Sequence, residues 1–238
     1  MAFLTLEQIT FALGDWQLRA SVQVPQGHCV ALIGTSGAGK STLLSLIAGF
    51  ETPDRGQILV NDVDISSFAP SQRPVTMMFQ EHNLFAHLSL YDNIALGCHP
   101  GLKLTATDRD TIDRALAATG LSELSSRRPA DVSGGERQRA ALARCLCQKR
   151  PVLLLDEPFA SLDPRLRQQM HELVDQLRRA HGLTVIVVSH LPHEVARIAD
   201  EVIFMHEGSV KEQGPVDITL GDPQSPELRD YLQFTGGE

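Results

Sequence analysis

Nine consecutive residues, Gly34-Thr35-Ser36-Gly37-Ala38-Gly39-Lys40-Ser41-Thr42, restrict this chain more than any other stretch of it. The apolar run Cys29 to Ile33 precedes them and suits a buried parallel strand; Ser41 to Ala48 follows with helical spacing and is closed by Gly49. A glycine-rich turn between strand and helix lets main-chain N–H groups of the turn and of the helix N-terminus converge on one anion. The glycines allow the curl without side chains in the way. In this G-x-x-x-x-G-K-[ST] spacing, Lys40 supplies a point charge to the β- and γ-phosphates of a nucleotide, and the Ser41 hydroxyl is a ligand for Mg²⁺.

A second apolar strand, Val152 to Leu155, ends in Asp156-Glu157-Pro158. Hydrolysis of a phosphoanhydride needs a metal to neutralise developing charge and a group to orient or deprotonate water. Adjacent acids can divide that work, with Asp156 toward the Mg²⁺ shell and Glu157 as general base. A third run, Val75 to Phe79, reads as a strand whose C-terminal end carries Gln80, and Thr184 to Val188 as one ending at Ser189-His190. Ligands of open α/β sheets gather at such ends.

The 238 residues suffice for one large domain with a full core. Phe3 to Val24 alternates in short apolar segments with turns at Gly14-Asp15 and Pro25-Gln26-Gly27, which predicts antiparallel strands; Gln57 to Val60 continues that layer. From Glu81 to about Arg150 the pattern is helical (Leu90 to Ile94, Asp108 to Thr119, Ala140 to Cys147), a subdomain inserted between two core strands. Asp163-Pro164 opens a further helix with Leu166, Met170, Leu173, Val174 and Leu177 on one face and Gly182 beyond its end. Glu201 to Met205 and Val210 to Gln213 read as a closing hairpin. A net charge of −8 argues against a nucleic-acid surface. The start lacks the features of a signal peptide and no apolar run approaches the ~18 residues that span a bilayer, so a membrane role is expected only through a partner. The four cysteines form no disulfide or metal framework, and Cys145 and Cys147 are expected to be small core fillers on different helix faces.

Ser133 and Glu136 form a capping box for a helix that begins with Gly134 and Gly135. Glycines in a first turn cost about 1 kcal/mol each relative to alanine. Bare N–H groups at a second anion-binding helix N-terminus fit that cost.

With these motifs in order, the chain resembles the ATP-binding cassette (ABC) ATPases: Gly34 to Thr42 matches the family's Walker A loop, Gln80 its Q-loop, Ser133 to Gln138 its signature, Val152 to Glu157 its Walker B strand, Ser161-Leu162-Asp163 its D-loop and His190 its switch histidine. The resemblance implies an α/β P-loop NTPase with a RecA-like core, an N-terminal antiparallel β layer and an inserted helical subdomain: one domain over 1–238, with 1–80 and 151–238 as core and 81–150 as the helical part. It implies ATP and Mg²⁺ as ligands. It further implies a head-to-tail homodimer in which Ser133 and Gly135 of one subunit meet the γ-phosphate held by Lys40 of the other. Gln80 is then near Mg²⁺ and the partner interface, and His190 holds the γ-phosphate and the water. Where the family stacks an aromatic on adenine stands Leu13, and Phe11 or Trp16 is left as its replacement. The single cassette, without a fused membrane segment or a long C-terminal domain, resembles the ATPase subunits of importers, bound to permease subunits on the cytoplasmic face of the inner membrane and served by a solute-binding protein. Within them it is most similar to those that import thiamine, on residues Phe79 to Leu88, Asn93 to Gly97, Pro100 to Leu104 and Ala143 to Leu146. Iron, sulfate and polyamines are the alternative cargos. A soluble ABC ATPase of DNA repair or translation is the alternative class.

Overall fold

A computed structural model describes residues 2–79 and 83–235. The chain opens with the hairpin β1 (Ala2–Leu13) and β2 (Trp16–Pro25), turned at Gly14-Asp15, where Gly14 takes φ +61°. Next come β3 (Cys29–Gly34), α1 (Lys40–Ala48), β4 (Arg55–Val60), β5 (Val63–Asp64) and β6 (Val75–Met78). Three helices follow, α2 (Leu90–Ala95), α3 (Ala106–Ala118) and α4 (Gly134–Cys147). The chain then returns through β7 (Val152–Leu155), α5 (Pro164–His181), β8 (Thr184–Val188), the one-turn α6 (Pro192–Val195), β9 (Glu201–His206) and β10 (Ser209–Pro215).

Two helices end the described chain, α7 (Val216–Gly221) and α8 (Pro226–Thr235). The β9–β10 hairpin therefore does not close the fold: Leu228 and Tyr231 of α8 are buried against the sheet. The helix α4 also begins six residues before the apolar run Ala140 to Cys147, because the Ser133 and Glu136 cap starts it at Gly134.

The strands form one sheet in the order β5-β4-β1-β2-β10-β9-β3-β8-β7-β6. From β9 to β6 all neighbours are parallel, and β3, β7 and β8 are buried along their whole length, as strands covered on both faces must be. The expected N-terminal antiparallel layer is joined to them through β10, which meets β2 at a single bridge, Ser209 with Arg19. The sheet thereby curls over α1. Leu43, Leu44, Leu46 and Ile47 of that helix are buried between β1, β2 and β4 on one side and Val30, Leu32, Leu154, Ile186 and Ile203 on the other.

The opposite face of the parallel strands packs on α5, through Met170, Val174 and Leu177, and on Ala141, Leu142 and Cys145 of α4. A third cluster unites α2, α3 and the far face of α4, with Leu90, Ile94, Ile112, Leu116, Ala140, Ala143 and Cys147. Cys145 and Cys147 thus fill different cores from one helix, as expected, and burial raises the pKa of both thiols. All four cysteines are free. Among the described residues no helix is long and apolar enough to cross a membrane.

Candidate active site at the strand ends

The C-terminal ends of β3, β7 and β8 lie side by side in the sheet and deliver the phosphate-loop sequence, Asp156-Glu157 and Ser189-His190 to one edge. Gly34 ends β3 opposite Met205, and a Cβ there would stand 2.1 Å from the Met205 carbonyl oxygen. Only glycine allows that approach. Ala38 turns inward to the core, and its carbonyl accepts from Gly208 in the β9–β10 turn at 3.2 Å. Gly39 caps α1 with φ +97°, and a Cβ on it would come within 2.8 Å of the Trp16 ring. The strand end, the β9–β10 turn and Trp16 therefore hold the loop from three sides.

Lys40 points back into its own loop. Its ammonium donates to Gly34 O at 2.8 Å and Thr35 O at 2.9 Å. Burial pushes its pKa down, against the opposing pull of Glu157 and Asp156. The lysine charge thus sits at the centre of the loop with its third N–H still available. Leu13, Trp16, Ser36, Gly37, Gly39, Lys40, Ser41, Thr42, Glu157 and His190 together line an open cleft of about 390 Å³. Phe11 and Trp16 both pack on the core, and of the two only Trp16 also lines the cleft, beside the exposed Leu13.

The Ser41 hydroxyl lies 3.1 Å from Asp156 Oδ1. Burial raises the Asp156 pKa and neighbouring Glu157 raises it further, against the lowering effects of the Ser41 hydrogen bond, Lys40 and His190. A half-buried carboxylate beside a hydroxyl and a second acid is a pair of hard oxygen donors short of positive charge. That donor set fits Mg²⁺, which takes one or two protein oxygens and completes its shell with phosphate and water.

Glu157 takes φ +45°, an uncommon conformation for a side chain of its size and one that costs free energy unless its surroundings impose it. Its Oε1 lies 2.5 Å from His190 Nε2. Acid and imidazole are therefore in direct polar contact where both line the cleft. Gln80 lies outside the described residues.

Ser133 and Gly135 are not among the residues lining this cleft. Ser133 caps α4 reciprocally with Glu136: Ser133 N donates to Glu136 Oε2 at 2.7 Å, and Glu136 N to Ser133 Oγ at 3.3 Å. The two glycines that follow differ in their reasons. A Cβ on Gly135 would stand 2.7 Å from Leu166 Cδ2, so α5 packs against its bare backbone; at Gly134 the closest group is Arg137, 3.8 Å away. Packing within the chain accounts for Gly135 and leaves Gly134 open to an outside group.

Residues 18–160 match the ABC transporter family. The chain is 47% identical to the thiamine import ATP-binding protein ThiQ of Mesorhizobium japonicum over 98% of its length and 92% of that protein. It is 49% identical to ThiQ of Yersinia pestis over 89% of its length and 90% of that protein. Among solved structures, the ADP conformation of an ATP-binding cassette of an ABC transporter superposes with a TM-score of 0.88 at 25% identity, covering 97% of this chain and 99% of that one. A dimeric cassette in a post-hydrolysis state with ADP and Pi superposes at 0.77 and 24% identity, covering 90% of this chain and 98% of that one. From the phosphate loop, the acidic strand end and these relatives together, it follows that the chain belongs to the ABC transporter family of ATP-binding proteins.

Proposed function

We propose that this chain is the ATP-hydrolysing subunit of a thiamine importer, working as a head-to-tail pair beneath the permease on the cytoplasmic face of the membrane. The observation that carries the reading is the near-50% identity, over almost the whole chain, to proteins named for thiamine import. In this reading the chain is one ATPase domain, with residues 81–150 as a helical subdomain on a core formed by the rest.

ATP binds with its phosphates in the loop Gly34 to Thr42. The loop amides and the Lys40 ammonium hold the β- and γ-phosphates, and Leu13 and Trp16 flank the entrance for the base. Mg²⁺, held by Ser41, Asp156 and Gln80, supplies neutralisation of phosphate charge when bound. Glu157 takes a proton from the attacking water as general base, and His190, in contact with that carboxylate, orients the water and the γ-phosphate. Ser133 and Gly135 of the second subunit close over the same phosphate, using the helix N-terminus that this chain leaves uncovered at Gly134. Phe50, which is 53% exposed and lies 5.5 Å centroid to centroid from Phe79, and the exposed Phe85 are apolar side chains available to the permease.

The test is ATPase activity of the complex reconstituted with its permease and solute-binding protein. Thiamine-loaded binding protein is expected to stimulate hydrolysis, while the same protein offered iron, sulfate or a polyamine is not. Stimulation by a rival solute and none by thiamine would overturn the cargo and leave the ATPase intact.

A further inference from the structure

Glu157 and His190 sit on two separate connections that leave the sheet edge. After Glu157 the chain turns through residues 158–163 into α5; after His190 it turns at Leu191 into α6. Besides the contact between Glu157 and His190 themselves, the Arg167 side chain joins these connections. Arg167, in the first turn of α5, donates from Nη2 to Leu162 O at 2.8 Å and from Nη1 to both carboxylate oxygens of Glu194 on α6, each at 3.0 Å. Its own amide donates to Asp163 O at 2.9 Å, so the base of the fork is anchored at the helix start.

The Arg167 side chain is 14% exposed and that of Glu194 34%. A charge-assisted contact made by a largely buried guanidinium to a partly buried carboxylate is stronger than a fully exposed surface pair. Close packing joins the connections farther from the cleft, where Phe159, Leu162 and Val195 share one buried cluster. A cavity of about 140 Å³ lies between the two connections, lined by Glu157, Phe159, Arg167, His171, His190 and Leu191. The guanidinium spans what the side chains leave unfilled. His171 is buried edge-on against Phe159 at 5.4 Å between centroids.

We propose that Arg167 and Glu194 form a positioning clamp that fixes the spacing of Glu157 and His190 for the attack of water on the γ-phosphate, without either residue touching the nucleotide. The clamp rests on the general-base role of Glu157 and the orienting role of His190 under the proposed function. Arg167 acts through two links at once: its contact with Leu162 sets the connection behind Glu157, and its fork to Glu194 sets the turn behind His190. Loosening either lets the acid and the imidazole part while the Lys40 loop, which Arg167 does not contact, keeps its hold on the phosphates.

The experiment is steady-state ATPase kinetics of the full chain in its transporter complex, with thermal melting and a nucleotide-binding titration of each variant. Arg167→Ala and Glu194→Gln should each lower kcat about tenfold or more, on the scale of one charged hydrogen bond, with KM for ATP within about twofold of wild type. Arg167→Lys keeps the charge but cannot hold both links, so it should recover only part of the rate. The double variant should be no slower than the slower single one, because the pair acts as a unit. Wild-type kcat per folded molecule in Arg167→Ala and Glu194→Gln overturns the clamp. So do additive losses in the double variant, or a raised KM with kcat unchanged. Glu157→Gln is run alongside. If it hydrolyses at the wild-type rate, the base assignment falls and the clamp with it; if it is inactive while Arg167→Ala is not, the clamp alone falls.

Discussion

Truncating Lys40 does two things, because its ammonium holds the Gly34 and Thr35 carbonyls and, in the proposed function, carries the charge offered to the phosphates. Lys40→Ala should therefore lose productive ATP binding, a change that a calorimetric titration reads directly. Glu157→Gln keeps the size of the side chain and an oxygen or amide to meet His190, so it should bind MgATP as the wild type does and lose turnover by roughly 10²–10⁴, the contribution of a general base. Equal ATP affinity in Lys40→Ala, or wild-type turnover in Glu157→Gln, would reverse the division of labour between the two. Residues of this kind were legible in the sequence because their chemistry is tied to a fixed local spacing. Arg167 and Glu194 were not. They lie 27 residues apart on elements whose only sequence relation is that both follow strand ends, and nothing in either local pattern marks a contact. Trp16 stood between: its aromatic character flagged it beside Phe11, but its place against Gly39 depends on the β1–β2 turn geometry.

The helix that begins at the phosphate loop must be held at its far end as well. Arg73, only 2% exposed, donates to Leu46 O at 2.6 Å and Ile47 O at 2.9 Å in the last turn of α1, and to Ser66 O at 2.7 Å and Phe68 O at 3.0 Å in the segment before β6. A cation at a helix C-terminus also meets the negative end of its dipole. Gly49 is glycine here for the same contact, since a Cβ would come within 2.5 Å of Arg73 Nε. Arg73→Met fills similar volume but leaves four carbonyls without that donor. It should cost about 3 kcal/mol or more, seen as a fall of roughly 6–12 °C in the melting temperature of a chain this size. A shift under about 2 °C would mean that α1 is held by packing alone. Capping and periodicity announced α1 and α5 from the sequence, since Gly49, Asp163-Pro164 and Gly182 occupy the positions expected of them. The two closing helices differ in how legible they were. The six residues of α7 are too few to show a period, whereas α8 did carry a signal, with Leu228, Tyr231 and Leu232 at helical spacing behind Pro226.

At the scale of the whole molecule, one cleft holds Lys40, Glu157 and His190, and the α4 N-terminus is not part of its lining. That helix is fixed on the sheet by Ala141, Leu142 and Cys145 and to α2 and α3 by its other face, so it cannot swing across to its own cleft without breaking two cores. In the proposed function, Ser133 therefore serves a phosphate that belongs to another copy. A two-fold pair then contains two composite sites, each with Lys40 from one subunit and Ser133 from the other. Ser133→Arg should accordingly abolish ATPase activity while ATP binding to the isolated chain stays at the wild-type level, because the loop around Lys40 is untouched. Mixing Ser133→Arg with Lys40→Ala gives mixed pairs in which one site has both defects and the other has neither. With random pairing, half of the dimers are mixed and carry one intact site, so about a quarter of the wild-type sites should return, from two proteins that are each inactive alone. If the intact site hydrolyses ATP independently, activity recovers in that proportion; if hydrolysis requires both sites to be filled, the mixture stays silent but the mixed dimers still trap nucleotide. A monomer held apart by dilution and hydrolysing at the full rate would show that the site is complete within one chain, and the open backbone at Gly134 would then have no phosphate to meet.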